Sequence, residues 1–401
     1  MTPTPGLLGN ITNGVSALDP TTGDSDGYAK SKFANLAIAS EVLGHEWRTH
    51  RCMQSVLGGK VSVERTVHGD GCGKPHYRGL LTCGSVWTCP VCAAKIAAKR
   101  ADEIKSVAKN AVAIGYQAVL VTYTLQHTIH DPLDILLTDL KTAIRYNKSG
   151  RAHERFNSRH GVLGYVRGIE IRYGKNGWHP HAHELLFVRP GVDGNVDCDD
   201  IKRSINQRYG KKLADLGYLV NDATIDVRTT GTDNETVSQY LTKTAVELEI
   251  TGNELKSGKS LSPFQLLSFA DQHEYANLFR EYAHSTKGKM MLTWSRNLRS
   301  LSDLDELTDE EIAAMPDGEI ETETDGEIDG EVVDGEIETE LILVLDRVQW
   351  KRVVAAELRA DLLLACDRLT ALDLEMWLIH SGIVAAAEMP KCRSRRTREG
   401  S

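Results

Sequence analysis

The stretch Trp178-His179-Pro180-His181-Ala182-His183, followed by the apolar residues 185–188, has the alternation that is typical of a β-strand. Alternate side chains of a strand point to the same face, so the three histidines would form one row. Upstream, residues 168–173 (Gly-Ile-Glu-Ile-Arg-Tyr) are another β-prone run, and residues 174–177 (Gly-Lys-Asn-Gly) have the composition of a tight turn. The sequence therefore predicts a β-hairpin that carries a row of histidines.

One carboxylate lies opposite this row in either register that the turn allows. A turn centred between residues 175 and 176 pairs Glu170 with His181, whereas a turn on residues 176–177 pairs it with His183. Single histidines in strands are usually solvated or hydrogen-bonded, but two imidazoles beside a carboxylate suit a catalytic divalent metal. We therefore predict a metal site formed by His181, His183 and Glu170, with His179 as a further candidate ligand.

The length of 401 residues predicts two or three folded units, and the sequence has no apolar run long enough for a transmembrane helix. The N-terminus lacks the basic start and apolar core of a signal peptide. Five of the eight cysteines lie between Cys52 and Cys92, at spacings that favour metal binding over disulfides. These features predict a cytoplasmic protein without a membrane anchor.

The net charge of −9 hides a basic body. Residues 303–340 contain 18 of the 56 Asp and Glu residues and none of the 47 Lys and Arg residues, so the rest of the chain has a net charge of about +9. A basic body of this kind is typical of proteins that bind nucleic acids.

The composition divides the chain into six expected regions. They are a flexible leader (1–50), a cysteine-rich zinc-binding segment (51–93), a catalytic domain (94–300), an acidic disordered linker (301–340), a C-terminal helical region (341–390) and a basic tail (391–401). The apolar stripe of Leu341, Leu345 and Val348 predicts one long helix over residues 341–380. Minority alternatives are a calcium-binding repeat in the linker and a coiled coil in the long helix, although its heptads are irregular.

The order of elements between residues 93 and 284 after the first helix is strand, helix, strand, strand, helix, strand, helix. This order favours an antiparallel β-sheet with packed helices, an α+β fold. We expect the sheet to carry the histidines on one face and its helices on the other.

A second metal site is predicted from residues 83–92 (Cys-Gly-Ser-Val-Trp-Thr-Cys-Pro-Val-Cys), which end in a Cys-x-x-Cys motif directly before a helix. Cys72 lies upstream, and His68 and His76 are near it in the sequence. We predict a tetrahedral structural zinc site made of Cys72, Cys83, Cys89 and Cys92, with the identity of the fourth ligand left open. A thioredoxin-like redox pair is the alternative, but the additional cysteines and the missing preceding strand argue against it.

A candidate nucleophile is Tyr240, which lies three residues before Lys243 in a predicted helix. Residues three apart share a helical face, so the phenol and the ammonium group can reach one ligand together. Most such pairs are ordinary helix surface, but beside a metal site and a basic body we predict that Tyr240 is a catalytic nucleophile.

At this point the sequence resembles a known family. Residues 121–127 (Val-Thr-Tyr-Thr-Leu-Gln-His), 179–183 (His-Pro-His-Ala-His) and 240–243 (Tyr-Leu-Thr-Lys) are similar to the three ordered motifs of rolling-circle plasmid replication initiators, which belong to the HUH endonucleases. The resemblance covers about residues 65–250, and it includes the cysteine-rich stretch that precedes the first motif in some bacterial initiators. It implies an HUH endonuclease catalytic domain with an RRM-like core.

The resemblance also implies roles for individual residues. His181 and His183 would be metal ligands, Tyr240 the nucleophile and Lys243 its motif partner, whereas the role of His127 is less defined. Some relatives have a glutamate four residues before the nucleophile, but this chain has Thr236 there and Glu235 one position earlier, which leaves the termination step undefined.

The resemblance implies an enzyme that uses Mg²⁺ or Mn²⁺, besides the structural Zn²⁺, to nick plasmid origin DNA and attach to its 5′ end. The expected partners are origin DNA, both duplex and single-stranded hairpin, together with a host helicase and DNA polymerase. An HUH transposase or relaxase and a non-catalytic zinc-containing DNA-binding regulator are the alternatives.

Overall fold

The computed structural model describes residues 25–68, 71–229, 260–302, 304–315 and 338–385. These residues form two antiparallel sheets surrounded by helices, so the predicted α+β class is confirmed. Among the described helices, none combines the length and the apolar character that crossing a bilayer requires.

The larger sheet contains the histidine hairpin at its centre. Its strands are β4 (Gln117–Tyr123), β5 (Gly164–Gly174), β6 (Gly177–Val188), β7 (Ile225–Thr229), β8 (Ser260–Leu261) and β9 (Leu292–Trp294). The strand order is β7-β4-β6-β5-β8, and β9 also pairs with β5. All these pairings are antiparallel.

The turn of the hairpin sets its register. Gly174 pairs with Gly177, so residues 175–176 make the turn, and Glu170 therefore lies opposite His181. Gly177 has φ +84°, and a Cβ there would lie 2.8 Å from the Cα of Ile129. Glycine fits this position because other residues rarely adopt such a φ and have no room there. Of the two registers expected from the sequence, the structure has the first.

Helices cover both faces of the larger sheet. They are α3 (Pro90–Ala113), α4 (Leu133–Asn147), α5 (Gly150–His160), α6 (Cys198–Asp215), α7 (Pro263–Leu267), α8 (His273–Thr286) and α9 (Asp309–Ala314), and a short 3-10 helix spans Arg299–Leu301. Ile104 and Val107 of α3 belong to a core with Leu185 and Phe187, which continue the histidine face of β6. We expected helices only on the opposite face, but α3 covers the apolar end of the histidine face as well.

The opposite face of the sheet packs against α4, α6 and α8, as expected. The ring of Tyr209 in α6 meets that of Tyr123 in β4 edge-on at 5.2 Å, and Tyr282 of α8 stacks on Trp178 of β6 at 6.3 Å. These aromatic pairs bury large apolar areas, so they fix the helices against the sheet that carries the site.

The smaller sheet brings the two ends of the described chain together. Its strands are β1 (Lys60–His68), β2 (Gly71–Cys72), β3 (His76–Arg78) and β10 (Glu338–Asp346), in the order β10-β1-β2 with β3 also on β1. Around it lie α1 (Ser25–Leu43), α2 (Arg48–Arg51), α10 (Arg347–Ala355), α11 (Arg359–Arg368) and α12 (Ala371–His380). Residues 338–385 therefore belong to the same folded unit as the N-terminal elements α1, α2 and β1.

Two expectations about the chain ends are wrong. The leader predicted at residues 1–50 contains α1, in which Phe33 and Leu36 are buried. The single helix predicted over residues 341–380 is strand β10 followed by three helices. Leu343 and Leu345, two residues apart, are both buried in the strand, so the alternation of period two prevails over the helical stripe there. Leu341 is 52% exposed, because the pairing with β1 shifts its register between Val63 and Glu64 and interrupts the alternation.

The acidic region predicted as a linker at residues 301–340 is described only in part. Within it, Asp309 of α9 forms a 2.7 Å ion pair with Arg100 of α3, which holds the two helices together. Residues 316–337, which contain the Asp-Gly-Glu repeats, and the basic tail at 391–401 lie outside the described residues.

Candidate metal centres

Glu170, His181 and His183 meet on one face of the β5–β6 hairpin. The Oε2 atom of Glu170 lies 2.6 Å from Nε2 of His181 and 3.0 Å from Nε2 of His183. Their side chains are 13–20% exposed, so the group is reachable from solvent. The ligand atoms lie within 4.8 Å of one another, close enough to bind one ion.

The charge on Glu170 is held by its surroundings. Burial by itself would raise the pKa of this carboxyl, but hydrogen bonds to His181 and His183, with a further bond to Arg172, hold it well below its usual range. Arg172 donates from Nε to Oε1 of Glu170 at 2.7 Å, so the other oxygen faces the histidines. The carboxylate is therefore ionised at neutral pH, the form that binds a metal.

The second nitrogen of each imidazole has its own partner. Nδ1 of His183 lies 3.1 Å from Oγ1 of Thr122 on β4, and Nδ1 of His181 lies 3.4 Å from the carbonyl oxygen of His179. Partners of this kind fix the ring orientation and direct the opposite nitrogen towards a metal. Thr122 and Arg172 were not among the residues predicted for the site, although Arg172, two positions after Glu170 in β5, shares its strand face.

His179 and His127 extend the site along β6. Their rings stack with centroids 4.7 Å apart, and the ring of His179 lies 5.1 Å from that of His181. Burial, together with the nearby His181 and His127, lowers the pKa of His179 to about 4. His179 is therefore neutral at physiological pH and belongs to the same face, but it lies outside the group of three metal-binding side chains.

The residue types at this site fit a catalytic divalent cation. Two imidazole nitrogens and one carboxylate oxygen converge, and three protein ligands leave coordination positions for water or substrate. The predicted residues Tyr240, Lys243 and Glu235 lie in the range 230–259, outside the described residues, so their placement stays a prediction.

A separate group of four buried thiols consists of Cys52, Cys83, Cys89 and Cys92. Sγ of Cys52 lies 3.5 Å from Sγ of Cys89 and of Cys92, and Sγ of Cys83 lies 3.7 Å from Sγ of Cys92. The backbone N–H of Cys92 donates to Sγ of Cys89 at 3.4 Å at the start of α3. Four thiolates complete the tetrahedral coordination that structural zinc requires.

This group contains the predicted ligands Cys83, Cys89 and Cys92, and it adds Cys52, whereas the sequence left the fourth ligand open with Cys72 as the candidate. The role of Cys72 stays a prediction. Cys52 follows α2, and Cys72 belongs to strand β2, whose side chains the structure does not describe. Because four thiols already converge, tetrahedral coordination leaves no place for a fifth ligand. The signal for Cys52 was available in the sequence only as one more cysteine, 31 residues upstream of Cys83.

The electrostatics of the thiols suit metal binding better than redox chemistry. Burial raises the pKa of Cys89, whereas hydrogen bonds from Cys52, Cys83 and Cys89 lower that of Cys92. The four cysteines are at most 1% exposed. A thioredoxin-like pair needs an accessible thiolate, so this burial disfavours that alternative.

Fold and sites define an α+β protein with a His–His–Glu metal-binding group and a four-cysteine group. The family described as "Replication protein" matches residues 81–333, well over half of the chain, so the chain belongs to this family. This membership confirms the resemblance that the ordered motifs indicate.

Two curated relatives agree with the family. The chain is 29% identical over 295 residues to "Protein rep" of Streptomyces lividans, a match that spans 57% of this chain and 65% of that protein. It is 31% identical over 141 residues to a protein of Streptomyces cyanogenus named "Neomycin resistance protein". This match spans 29% of this chain and 32% of that protein. The chain thus spans slightly less than two thirds of the first relative. No solved structure matches the chain.

Proposed function

We propose that this protein initiates rolling-circle replication of a plasmid by nicking one DNA strand at the origin. The observation that carries the proposal is the convergence of Glu170, His181 and His183 on one exposed sheet face in a member of the replication protein family. Such a group lies where a DNA phosphate can reach it.

The topology supports an HUH endonuclease with an RRM-like core. Apart from the additional helix α5 between α4 and β5, the elements β4-α4-β5-β6-α6-β7 follow the pattern βαββαβ. The sheet order β7-β4-β6-β5 places the first and third of these strands at the centre. The histidine strand β6 is therefore a central strand, rigidly held between β4 and β5.

Two kinds of metal ion fit the two groups. Glu170, His181 and His183 would hold Mg²⁺ or Mn²⁺, which supplies positive charge to a phosphate during strand cleavage. Arg172 orients the carboxylate of Glu170, and Thr122 orients the ring of His183. Cys52, Cys83, Cys89 and Cys92 would hold a structural Zn²⁺.

The proposed nucleophile is Tyr240, with Lys243 three residues later in the sequence as its motif partner. The phenol gives up its proton and its oxygen forms a bond to phosphorus as the bond from phosphorus to the 3′ oxygen breaks, and the leaving 3′ oxygen takes up one proton. The products are a 5′-phosphotyrosine and a free 3′-hydroxyl that a polymerase can extend. A later attack by a 3′-hydroxyl on the phosphotyrosine rejoins the strand and releases the protein.

The partners follow from this role. We propose that the protein acts in the bacterial cytoplasm on duplex origin DNA and on its single-stranded hairpin loop, together with a host helicase and DNA polymerase. The basic body of the chain supports binding to phosphates.

The alternatives are an HUH transposase or relaxase and a non-catalytic DNA-binding regulator. A relaxase would use three histidines, but His179 stacks on His127 rather than joining the group of Glu170. This arrangement favours the initiator with two histidine ligands.

The test is a covalent attachment assay with Tyr240→Phe. The wild-type protein should nick supercoiled origin plasmid in Mn²⁺ and form a covalent adduct with a labelled origin oligonucleotide. Tyr240→Phe should bind the oligonucleotide but form no adduct, because it lacks the attacking oxygen.

The matched control is Tyr116→Phe, which removes a hydroxyl immediately before β4 and should leave adduct formation unchanged. An adduct with Tyr240→Phe would exclude Tyr240 as the nucleophile. Tight binding by the wild-type protein without any nicking would favour the regulator instead.

A further inference from the structure

A basic cleft of about 750 Å³ lies between the end of α4 and the helices α5 and α6. Its basic lining residues are Lys148, Arg151, Arg155, Arg159 and Arg208. Polar side chains of Asn147, Ser158, Ser204 and Gln207 also line it, and Glu154 is the one acidic lining residue. Neither the motifs nor the metal groups use this cleft.

The cleft opens on the side of the sheet opposite to the histidine row. At its floor, Nζ of Lys148 forms a 2.8 Å ion pair with Oε1 of Glu184, which is completely buried. Glu184 follows His183 directly in β6, and neighbouring side chains of a strand point to opposite faces. The cleft is therefore separate from the group of Glu170, His181 and His183.

The cationic groups of the cleft are only partly neutralised. Glu184 is shared between Lys148 and Arg167, and Arg159 pairs with Asp200 at 2.7 Å. Arg208 instead donates to the carbonyl oxygens of Tyr146 and Ser149 at 2.6 and 2.9 Å. Carbonyl groups orient a guanidinium but carry no net charge, so the positive charge of Arg208 remains for a ligand.

The outer wall adds two further cations. Arg151 and Arg155 are exposed on α5, four residues apart on one helical side, and neither forms an ion pair with any described residue. Arginine forks bind phosphate in a bidentate manner, and hydroxyl and amide groups complete such contacts. The chemistry of the lining therefore fits phosphate groups.

We propose that this cleft binds the phosphates of single-stranded DNA that extends beyond the nicked bond. This inference rests on the proposed function for its ligand class. Nicking would supply an unpaired strand, which can run along α5 with its phosphates against Arg151, Arg155 and Arg208. The strand would pass round the edge of the sheet, so only an oligonucleotide longer than the immediate nick site would reach the cleft.

The test compares the full-length wild-type protein with the double variant Arg151→Gln/Arg155→Gln. Binding of single-stranded origin oligonucleotides of about 6 and about 30 nucleotides is measured as a function of salt concentration. For the long oligonucleotide, the variant should bind severalfold more weakly. The slope of log affinity against log salt should become shallower by about 1.4, since each phosphate contact to a single strand contributes about 0.7. For the short one, both proteins should behave alike.

The control is Arg347→Gln/Lys351→Gln, which removes the same charge from the exposed surface of α10 and should leave the salt slope unchanged. An unchanged slope in the α5 variant, or an equal change in the α10 variant, would overturn the proposal. A third outcome would also overturn it. If inorganic triphosphate bound the wild-type protein more tightly than the long oligonucleotide does, and did not bind the α5 variant, the cleft would be a site for a free phosphate ligand.

Failure of the proposed function gives a different result. If the wild-type protein forms no covalent adduct with the short oligonucleotide, the nicking proposal fails, yet the salt slope with the long oligonucleotide still reports on the cleft. If the adduct forms normally in both proteins but the slope does not differ, the cleft proposal alone fails.

Discussion

At the scale of single residues, the charge of Glu170 makes the stability of the fold depend on pH, and the same charge would bind a metal. Burial opposes its ionisation, but the hydrogen bonds to His181 and His183 prevail and hold its pKa well below the usual range. A carboxyl whose pKa is depressed by folding stabilises the folded state above its unfolded pKa of about 4.3, and this stabilisation is lost as the pH falls. Glu170→Gln has no such charge to lose.

We therefore expect two effects of Glu170→Gln. Mn²⁺ affinity should fall at least about tenfold, because a neutral amide replaces the anionic ligand. In the metal-free protein, the thermal midpoint of the wild type should exceed that of the variant at pH 7, and this difference should shrink between pH 5 and pH 3. Calorimetry with and without Mn²⁺ measures both. Glu64→Gln, in the smaller sheet, is the control for a lost carboxylate; unchanged Mn²⁺ affinity in Glu170→Gln would contradict the ligand assignment.

At the scale of elements, α11 places a buried cation within electrostatic range of Cys52 and Cys89. Arg359, its first residue, is 2% exposed, and its Nε and Nη1 atoms have no hydrogen-bond partner among the described residues. Burial lowers the pKa of Arg359, whereas Tyr77, Glu357, Cys52 and Cys89 raise it. Four thiolates around Zn²⁺ have a net charge of −2, so the guanidinium offsets part of this charge when the metal is bound.

Arg359→Met should therefore have opposite effects in the two metal states. With zinc bound, the variant loses a buried countercharge, and we expect at least about tenfold weaker zinc binding. Without zinc, the raised pKa values of Cys52 and Cys89 keep those two thiols protonated, whereas Cys92 has a lowered pKa. The buried cation is then less compensated than with zinc bound, so the variant should unfold at the same or a higher temperature than the wild type. Zinc titration and thermal melts with and without zinc measure both effects.

Arg352→Met, in α10, removes an arginine that donates to the carbonyl oxygen of Ile383, and it serves as the control. It should destabilise both metal states alike. Equal destabilisation of both states by Arg359→Met would show that the guanidinium only packs against its surroundings.

Elements with local sequence signals could be predicted, whereas elements that depend on distant pairing could not. The hairpin was predictable because strict alternation and a glycine-bounded turn are local signals, and they limited the register to two choices. Strand β10 was not, because Leu341, Leu345 and Val348 fit a helical stripe as well as an apolar strand. Residues 338–346 form a strand because they pair with β1, where Val63 lies opposite Leu343, a residue far away in the sequence. Cys52 was missed for the same reason, since its neighbours in space are distant in sequence.

At the scale of the whole molecule, the four-cysteine group connects the N-terminal helices to α3, which packs on the larger sheet. Cys52 lies among the N-terminal helices, whereas Cys89 and Cys92 begin α3, which runs beneath the histidine strand. Cys52 and β10 both lie outside the family match at residues 81–333. Metal binding there would therefore fasten the unit outside the family match to the part inside it.

Loss of this metal should loosen that unit and leave the histidine group assembled. We expect Cys52→Ser to release zinc and to lower the thermal midpoint by roughly 10 °C, since a loss of several kcal/mol shifts it by about 2–4 °C per kcal/mol. Limited proteolysis should then cut within residues 25–93 or 338–385 first, whereas Mn²⁺ binding at Glu170 should persist. Metal analysis, thermal melts and mass spectrometry of the fragments measure these outcomes.

Two cysteine variants decide between the predicted and the observed ligand sets. Cys72→Ser should keep its zinc, because Cys52 already completes the tetrahedral group, and Cys198→Ser, on α6, should keep it as well. If Cys72→Ser released zinc while Cys52→Ser retained it, the ligand set seen in the structure would be wrong. In that case the metal would lie beside β2, and its removal would not loosen the start of α3, because a metal fixes only the elements whose side chains bind it.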